Sequence, residues 1–276
     1  MSIERPASPR AAATIDRTRA SIARVYDCAL GGKDNFEVDR EVVEKLKTVA
    51  PEIEQFTVDH RQFLIRVTRF IAGQTGIRQF LDLGSGLPTA ENTHQAAQRI
   101  APDARVVYVD NDPSVVAHGR ALLEENELTR FSPADLTQPE EVLADPIVRE
   151  LIDFSQPLAL LQLGTLHHYV GARPPADIMQ TYVDALPSGS YVALSHFYDP
   201  QDENSELARR MEEVFVHSPL GSGVFRTRDE ILGMLPGLEL VEPGFSLLVD
   251  WWPDGPRMQD LLPAQKCLAG AVGRKP

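Results

Sequence analysis

The stretch FLDLGSGLPT, residues 80–89, runs an apolar segment into a glycine turn. Gly84 and Gly86 let a backbone bend tightly and approach a ligand closely, which residues with side chains resist. A turn of this kind, placed after a strand and before a helix, is a general pattern for holding a nucleotide-like cofactor. The third glycine of the dinucleotide fingerprint is absent, because Pro88 and Thr89 occupy its region. Asp82 lies just before the turn, where its carboxylate would point at whatever is bound.

That carboxylate discriminates between cofactors. A dinucleotide sets its pyrophosphate at such a turn and the following helix N-terminus, and Asp82 would repel it. A sulfonium cofactor with a free amino group has no phosphate there and favours the negative charge. The residues therefore favour S-adenosylmethionine over NAD. VVYVDND then carries Asp110, 24 residues beyond Gly86. In doubly wound folds an acid near that position takes ribose hydroxyls, and a carboxylate accepts from both at once. Asn111 and Asp112 either flank an adenine edge or cap the next helix. In SPADLTQP, Asp135 could accept from the adenine amino group while the Leu136 backbone meets the ring; a turn-forming acid is the alternative. LLQLGTLHHY adds Gly164 and Thr165 to the cofactor lining, with His167 and His168 beyond them. A histidine near its usual pKa is a general base for a hydroxyl or amine, although helical spacing can turn either ring away. His196 and Asp199 are weaker candidates. The two adjacent histidines lack the spacing of a zinc site, so no metal is expected.

One tempting motif fails. Gly31-Gly32-Lys33 resembles the end of a phosphate loop, but position 27 is Asp27 where a glycine is needed, and Asp34 stands where Ser or Thr would hold magnesium. The stretch also follows a helix rather than a strand.

The elements that must position these residues are legible as periodicity. IRQFLDL, ARVVYVD, LALLQLG and SYVALSHF read as strands, with a shorter one before SPADL. ENTHQAAQRIA, PSVVAHGRALLEEN and PADIMQTYVDALP read as the helices between them. That alternation, with strands apolar on both sides, predicts a parallel sheet covered by helices on both faces. LELVE and SLLVDWW suggest a closing edge hairpin. Trp251 and Trp252 leave open edge pairing in a homodimer beside plain core packing. Upstream, Ser21 caps a predicted helix that runs to Leu30, Asp34 or Asn35 caps a second, and Thr57 a third. In the third, Phe63, Leu64, Val67, Phe70 and Ile71 share one face. The expected division is a leader over 1–17, a helical extension over 18–76, a cofactor domain over 77–257 with an acceptor-side insertion at 198–225, and a tail over 258–276. The formal charge of -13 argues against a nucleic-acid partner. No apolar run approaches the ~20 residues that span a bilayer, and the N-terminus lacks an apolar signal core. The expected location is the cytoplasm, with Cys28 and Cys267 as reduced thiols.

FLDLGSG, VVYVDND, PADL and LGTLHHY together resemble the class I S-adenosylmethionine-dependent methyltransferases. ARVYDCALGGKDNFEVDR, QFLDLGSGLPTAENTHQ, RVVYVDNDPSVVAHGRALL and LVEPGFSLLVDWWP are similar, more narrowly, to the actinobacterial S-adenosyl methyltransferase-like family, long catalogued as a domain family of unknown function. The likeness runs from about Ser21 to Pro253. It implies a Rossmann-like, seven-stranded and mostly parallel sheet, with LELVE and SLLVDWW as last strands and the helical extension over the cofactor mouth. It also implies cofactor binding by Asp82, Gly84, Ser85, Gly86, Asp110, Asn111, Asp135 and Gly164. Pro88 departs from the broader pattern of a third glycine. In a lid role, Tyr26, Lys33 and Asn35, with Arg61 nearby, would reach the methionine end of the cofactor or the acceptor. Two functions follow: methyl transfer to a small-molecule acceptor, with His167 or His168 as candidate base, or non-catalytic sensing of S-adenosylmethionine or its demethylated product.

Overall fold

A computed structural model describes residues 15–89, 91–122 and 126–276. The expected leader falls mostly on residues outside that description. At the centre is a sheet whose first five strands are parallel: β1 (Gln79–Leu83), β2 (Arg105–Val109), β3 (Thr129–Ser132), β4 (Ala159–Leu163) and β5 (Tyr191–Phe197). All five residues of β1 and of β4 are buried, the consequence of helices on both faces of a parallel sheet. The order β3-β2-β1-β4-β5 reverses direction between β1 and β4. Ligands in open α/β sheets sit at that crevice, beyond the carboxyl ends of the strands.

Three helices precede the sheet: α1 (Ile22–Ala29), α2 (Glu37–Lys47) and α3 (Ile53–Gln74). Ser21 caps α1 as expected, its side chain accepting from the Arg24 N–H. The second helix starts later than Asp34 or Asn35 would set it. Phe36 is its N-cap, and Asp39 reaches back to accept the Phe36 N–H at 2.8 Å. Asp34 and Asn35 are instead folded onto Asp27, whose Oδ2 accepts the Asp34 N–H and the Asn35 side-chain amide, each at 2.9 Å. The third helix begins at Ile53, and Thr57 lies within it, its hydroxyl donating to the Ile53 carbonyl at 2.9 Å. The helices between and after the strands are α4 (Thr93–Gln98), α5 (Pro113–Leu122), α6 (Pro139–Ala144), α7 (Pro146–Leu151), α8 (Pro175–Ala185), α9 (Ser205–His217) and α10 (Arg228–Leu232). None of the described helices is long and apolar enough to cross a membrane.

The closing strands differ from the expected hairpin. LELVE contributes only β6 (Glu239–Leu240) and SLLVDWW only β7 (Ser246–Leu247), followed by a 3-10 turn. The strand that closes the sheet is β8 (Leu268–Arg274), in the segment expected to be a tail. It runs antiparallel to β5 over its whole length and also pairs with β6 and β7. The physical reason is composition: LAGAVGR is small and apolar, and Gly270 and Gly273 leave room where a Cβ would strike the Leu194 carbonyl or Leu238. Trp251 is buried between the edges of Phe63 and Phe70, so it serves the core.

Because β8 lies between β5 and β6, a chain ending at Leu262 is expected to lose cooperative folding rather than to be trimmed. Circular dichroism with urea should show a broad, non-cooperative loss of signal; a sharp transition with the slope of the full chain would contradict this placement.

Candidate functional site

The strand ends place the site. After β1, Gly84 and Gly86 take φ of 74° and 67°, the left-handed region in which a Cβ is strained. The turn is pinned to the neighbouring strand by the Gly84 N–H, which donates to the Val109 carbonyl at 2.7 Å. Asp110, just past β2, completes it: its Oδ2 accepts the Gly86 N–H and its Oδ1 the Asp112 N–H, each at 2.9 Å. Asp82 is buried, and its Oδ2 accepts from the Thr93 hydroxyl at 2.6 Å. That bond links the turn to the first residue of α4. Burial pushes Asp82 up to about 6, against the lowering effects of Thr93 and of the Arg61 charge. Desolvation likewise raises Asp110 to about 6, against the N–H groups of Asp112 and Gly86.

These groups open into one cleft of about 630 Å³, within the size range of small-molecule and cofactor sites. Asp82, Gly84, Ser85, Gly86, Asp110 and Asn111 line one side of it. Asp135, Leu136, Gly164 and His168 line another, with Tyr26 and Arg61 from the N-terminal helices. Asp135 Oδ1 also accepts from the Thr137 N–H and hydroxyl, both at 2.8 Å, so one of its oxygens serves a turn. The Asp112 side chain caps α5, accepting the Ser114 N–H at 2.7 Å, and takes a further hydrogen bond from the Ser21 hydroxyl. Two buried polar atoms of cleft-lining residues, Arg61 Nε and Ser85 Oγ, have no hydrogen-bond partner among the described residues. Arg61 Nη2 is held by the Glu91 carbonyl and Asn92 Oδ1, which fixes the guanidinium beside the glycine turn.

The histidines behave differently from free imidazoles. His167 stacks on Phe197 with ring centroids 3.5 Å apart, and its Nδ1 accepts the Phe197 N–H at 3.3 Å. It lines a small apolar chamber next to the cleft, not the cleft itself. His168 lines both; its Nδ1 lies 3.2 Å from the Ser222 carbonyl. The Ser222 hydroxyl lies at the same distance; with the carbonyl as partner, which only accepts, the proton sits on Nδ1 and Nε2 keeps a lone pair. Burial drives His168 down to about 4, and burial with the neighbouring His168 and His196 puts His167 well below its ordinary value. Both are therefore neutral at pH 7, and as bases they are weaker than an unperturbed histidine. His196, lowered by burial to about 3, accepts from Arg226 at 2.7 Å, and Asp199 holds a turn at Gln201.

Lys33 and Asn35 do not reach the cleft. Lys33 is exposed, and Asn35 is used up within its own turn, donating to Asp27 and the Gly32 carbonyl. Gly32 abuts the Asp27 carboxylate so closely that a Cβ would overlap it. The glycine pair is thus a wrap around a buried acid. The residue that sequence reasoning missed is His60. Its Nδ1 lies 3.1 Å from the Tyr26 hydroxyl and its Nε2 2.7 Å from Ser195 Oγ. Its ring fills the space a Cβ of Gly164 would need, 2.6 Å from that position. The available signal was a polar residue inside the apolar stripe Phe56, His60, Phe63, Val67.

A parallel sheet closed by an antiparallel strand, with a glycine turn and two acids at adjacent strand ends, defines a class I methyltransferase fold. The chain belongs to the S-adenosyl methyltransferase family, whose model matches residues 8–276. A protein of Thermobifida fusca YX that carries a provisional methyltransferase designation has a similar structure, with a TM-score of 0.88. It is 42% identical, over 94% of this chain and 96% of its own. A DUF574 family protein of Streptomyces avermitilis MA-4680 gives a TM-score of 0.89 at 33% identity, over 95% of this chain and 100% of its own. No curated protein matches the chain. The protein is an S-adenosylmethionine-dependent methyltransferase.

Gly164, at φ 70° with His60 against it, is expected to tolerate no side chain. Gly164→Ala should cost about 1–3 kcal/mol of stability and weaken S-adenosylhomocysteine binding. An unchanged urea midpoint together with unchanged affinity by calorimetry would remove this packing from the account.

Proposed function

We propose that the cleft holds S-adenosylmethionine with its methionine end at the glycine turn, its ribose at Asp110 and its adenine toward Asn111, Asp135 and Leu136. The acceptor in this reading is a small molecule. The observation that carries it is the pair of orphaned buried atoms, Arg61 Nε and Ser85 Oγ, beside Asp82 and the turn. A buried donor without a partner is costly, and a carboxylate bearing an ammonium group answers both the cation and the acid. Asp110 keeps its two oxygens aligned by backbone N–H groups, so their remaining lone pairs suit two vicinal hydroxyls.

When bound, the cofactor supplies an electrophilic methyl group on a sulfonium centre. The chain's part is alignment and exclusion of water, which can contribute several kcal/mol. Tyr26 and His60 border the cleft from the helical extension, residues 18–76, which acts as its lid. The segment 198–225 forms the acceptor side, and His168 Nε2 is the atom placed to take a proton from an acceptor hydroxyl. The reading includes a cytoplasmic protein with reduced thiols, supported by the two free cysteines, and an actinobacterial source, supported by the organisms of both relatives. A homodimer remains part of the proposal.

Binding then has a pH dependence of known sign. Asp110, raised to about 6, must be ionised to accept from both hydroxyls, so affinity falls as pH drops through 6. One such group implies about a tenfold loss between pH 7 and pH 5, and Asp82, also near 6, would add to it. The same raised values make the ligand-free fold gain stability over that descent, because the folded state takes up protons before the unfolded chain does. Isothermal titration of S-adenosylhomocysteine should show the loss in the wild type, a smaller one in Asp110→Asn and near-complete loss of binding in Asp110→Ala. Affinity in Asp110→Ala equal to wild type would contradict the ribose assignment.

A further inference from the structure

Behind the cofactor cleft lies a second, smaller space of about 60 Å³. Its walls come from the N-terminal helices, the turn after β4, the end of β5 and the segment after it, and the start of β8. Ala29 belongs to α1, Val43 and Leu46 to α2, Phe56 and His60 to α3, and Phe215 and Leu220 to the segment after β5. Not one Asp, Glu, Lys or Arg is among its lining residues. Five residues, Ile22, Tyr26, His60, Gly164 and His168, line both this chamber and the cleft. The two spaces therefore adjoin at these residues, among them the hydrogen-bonded Tyr26 and His60.

Two features of the walls select a ligand. The first is a run of near-parallel rings in the lining, His167 on Phe197 at 11° and Phe197 on Phe215 at 26°, with Phe225, outside the lining, at 22° to Phe197. Flat rings stack in offset layers with favourable dispersion and quadrupole terms, so a planar guest extends the arrangement. The second is the complementary pair of imidazoles. His167 Nδ1 accepts a backbone N–H, which leaves its proton on Nε2; His168 Nδ1 lies 3.2 Å from both the carbonyl and the hydroxyl of Ser222, and in the tautomer that donates to the carbonyl its Nε2 keeps a lone pair. Neither Nε2 has a hydrogen-bond partner among the described residues. One donor and one acceptor in an apolar enclosure match a hydroxyl group, which both donates and accepts. An ionised group would enter without a counter-charge, at a large desolvation cost.

We propose that this chamber is the acceptor subsite of the methyltransferase and takes a small, uncharged aromatic ring bearing a hydroxyl group. The inference rests on the methyltransferase reading of the cleft. A ring held across the Tyr26–His60 boundary uses both spaces, with its hydroxyl at His168 and toward the cleft. The chamber's size excludes fused or branched bodies.

Phenol and benzoate serve as probes, titrated into full-length protein saturated with S-adenosylhomocysteine and followed by methyl NMR. Leu46, Ile53 and Leu220 report the chamber, while Leu136, Leu163 and Val170 report the cleft. Phenol is expected to shift the chamber methyls and benzoate to leave them in place. Leu220→Trp, at a partly exposed position, should weaken phenol at least tenfold by filling the space, and Ala29→Leu, at a second lining position, should act in the same direction. Phenol shifts confined to the cleft, equal binding of benzoate, or wild-type phenol affinity in both variants would overturn the proposal. If S-adenosylhomocysteine binds and phenol leaves the chamber methyls unmoved, only this inference falls. If S-adenosylhomocysteine itself does not bind the wild-type protein, the fault lies with the reading of the cleft.

Discussion

Two carboxylates, Asp82 buried and Asp110 half-buried, govern this site. Asp82 and Asp110 stand at the ends of neighbouring strands, each pushed up to about 6 by desolvation. Burial of an acid is unfavourable unless hydrogen bonds or a cation offset it. Here the offsets are the Thr93 hydroxyl, the N–H groups of Gly86 and Asp112 and the nearby charge of Arg61. Each of them also fixes a piece of the cleft: the start of α4, the glycine turn and the start of α5. The acids thus organise the walls as well as facing the space between them. The arrangement favours a ligand with hydroxyls and a cationic centre over one with phosphates.

The helical extension is fastened to the same strand end. Arg24 and Asp39 form an ion pair at 2.8 Å with almost no exposed side-chain surface. Asp39 also accepts the N–H groups of Ser21 and Phe36, and Arg24 donates to Ser114 at 3.0 Å. With the Ser21–Asp112 hydrogen bond, this network ties the starts of α1, α2 and α5 together. A buried pair satisfied on every side contributes orientation more than net stability. Its consequence here is that Tyr26, one turn along α1, is held over the cleft. Tyr26 in turn meets His60, which meets Ser195 on β5, so α1, α3 and β5 share one chain of hydrogen bonds.

The sheet and its crevice were legible in the sequence, because doubly buried strands read as apolar runs and the site residues sit at their ends. FLDLGSG and VVYVDND carried both pattern and chemistry. What escaped was set by tertiary contact. The closing strand, LAGAVGR, is rich in small residues, and only its pairing along β5 makes it a strand. His60 lies mid-helix, 104 residues before Gly164 in sequence, and only the fold reveals that the glycine is there to seat the imidazole. Lys33 and Asn35 were drawn toward the cofactor by their place on a turn. The turn instead closes on Asp27, and that choice depends on a buried acid whose burial no local pattern discloses. The low pKa values of His167 and His168 likewise arise from enclosure by Phe197, Phe215 and each other, not from their spacing.

The central claim is that Asp110, the glycine turn and Arg61 form one cofactor site. A crystal structure of the protein with S-adenosylhomocysteine addresses it most directly. The account predicts ribose hydroxyls within hydrogen-bond distance of both Asp110 oxygens and the ligand carboxylate on Arg61 Nε. Density elsewhere, or a ligand in the cleft that leaves Arg61 Nε unpartnered and Asp110 uncontacted, would contradict it.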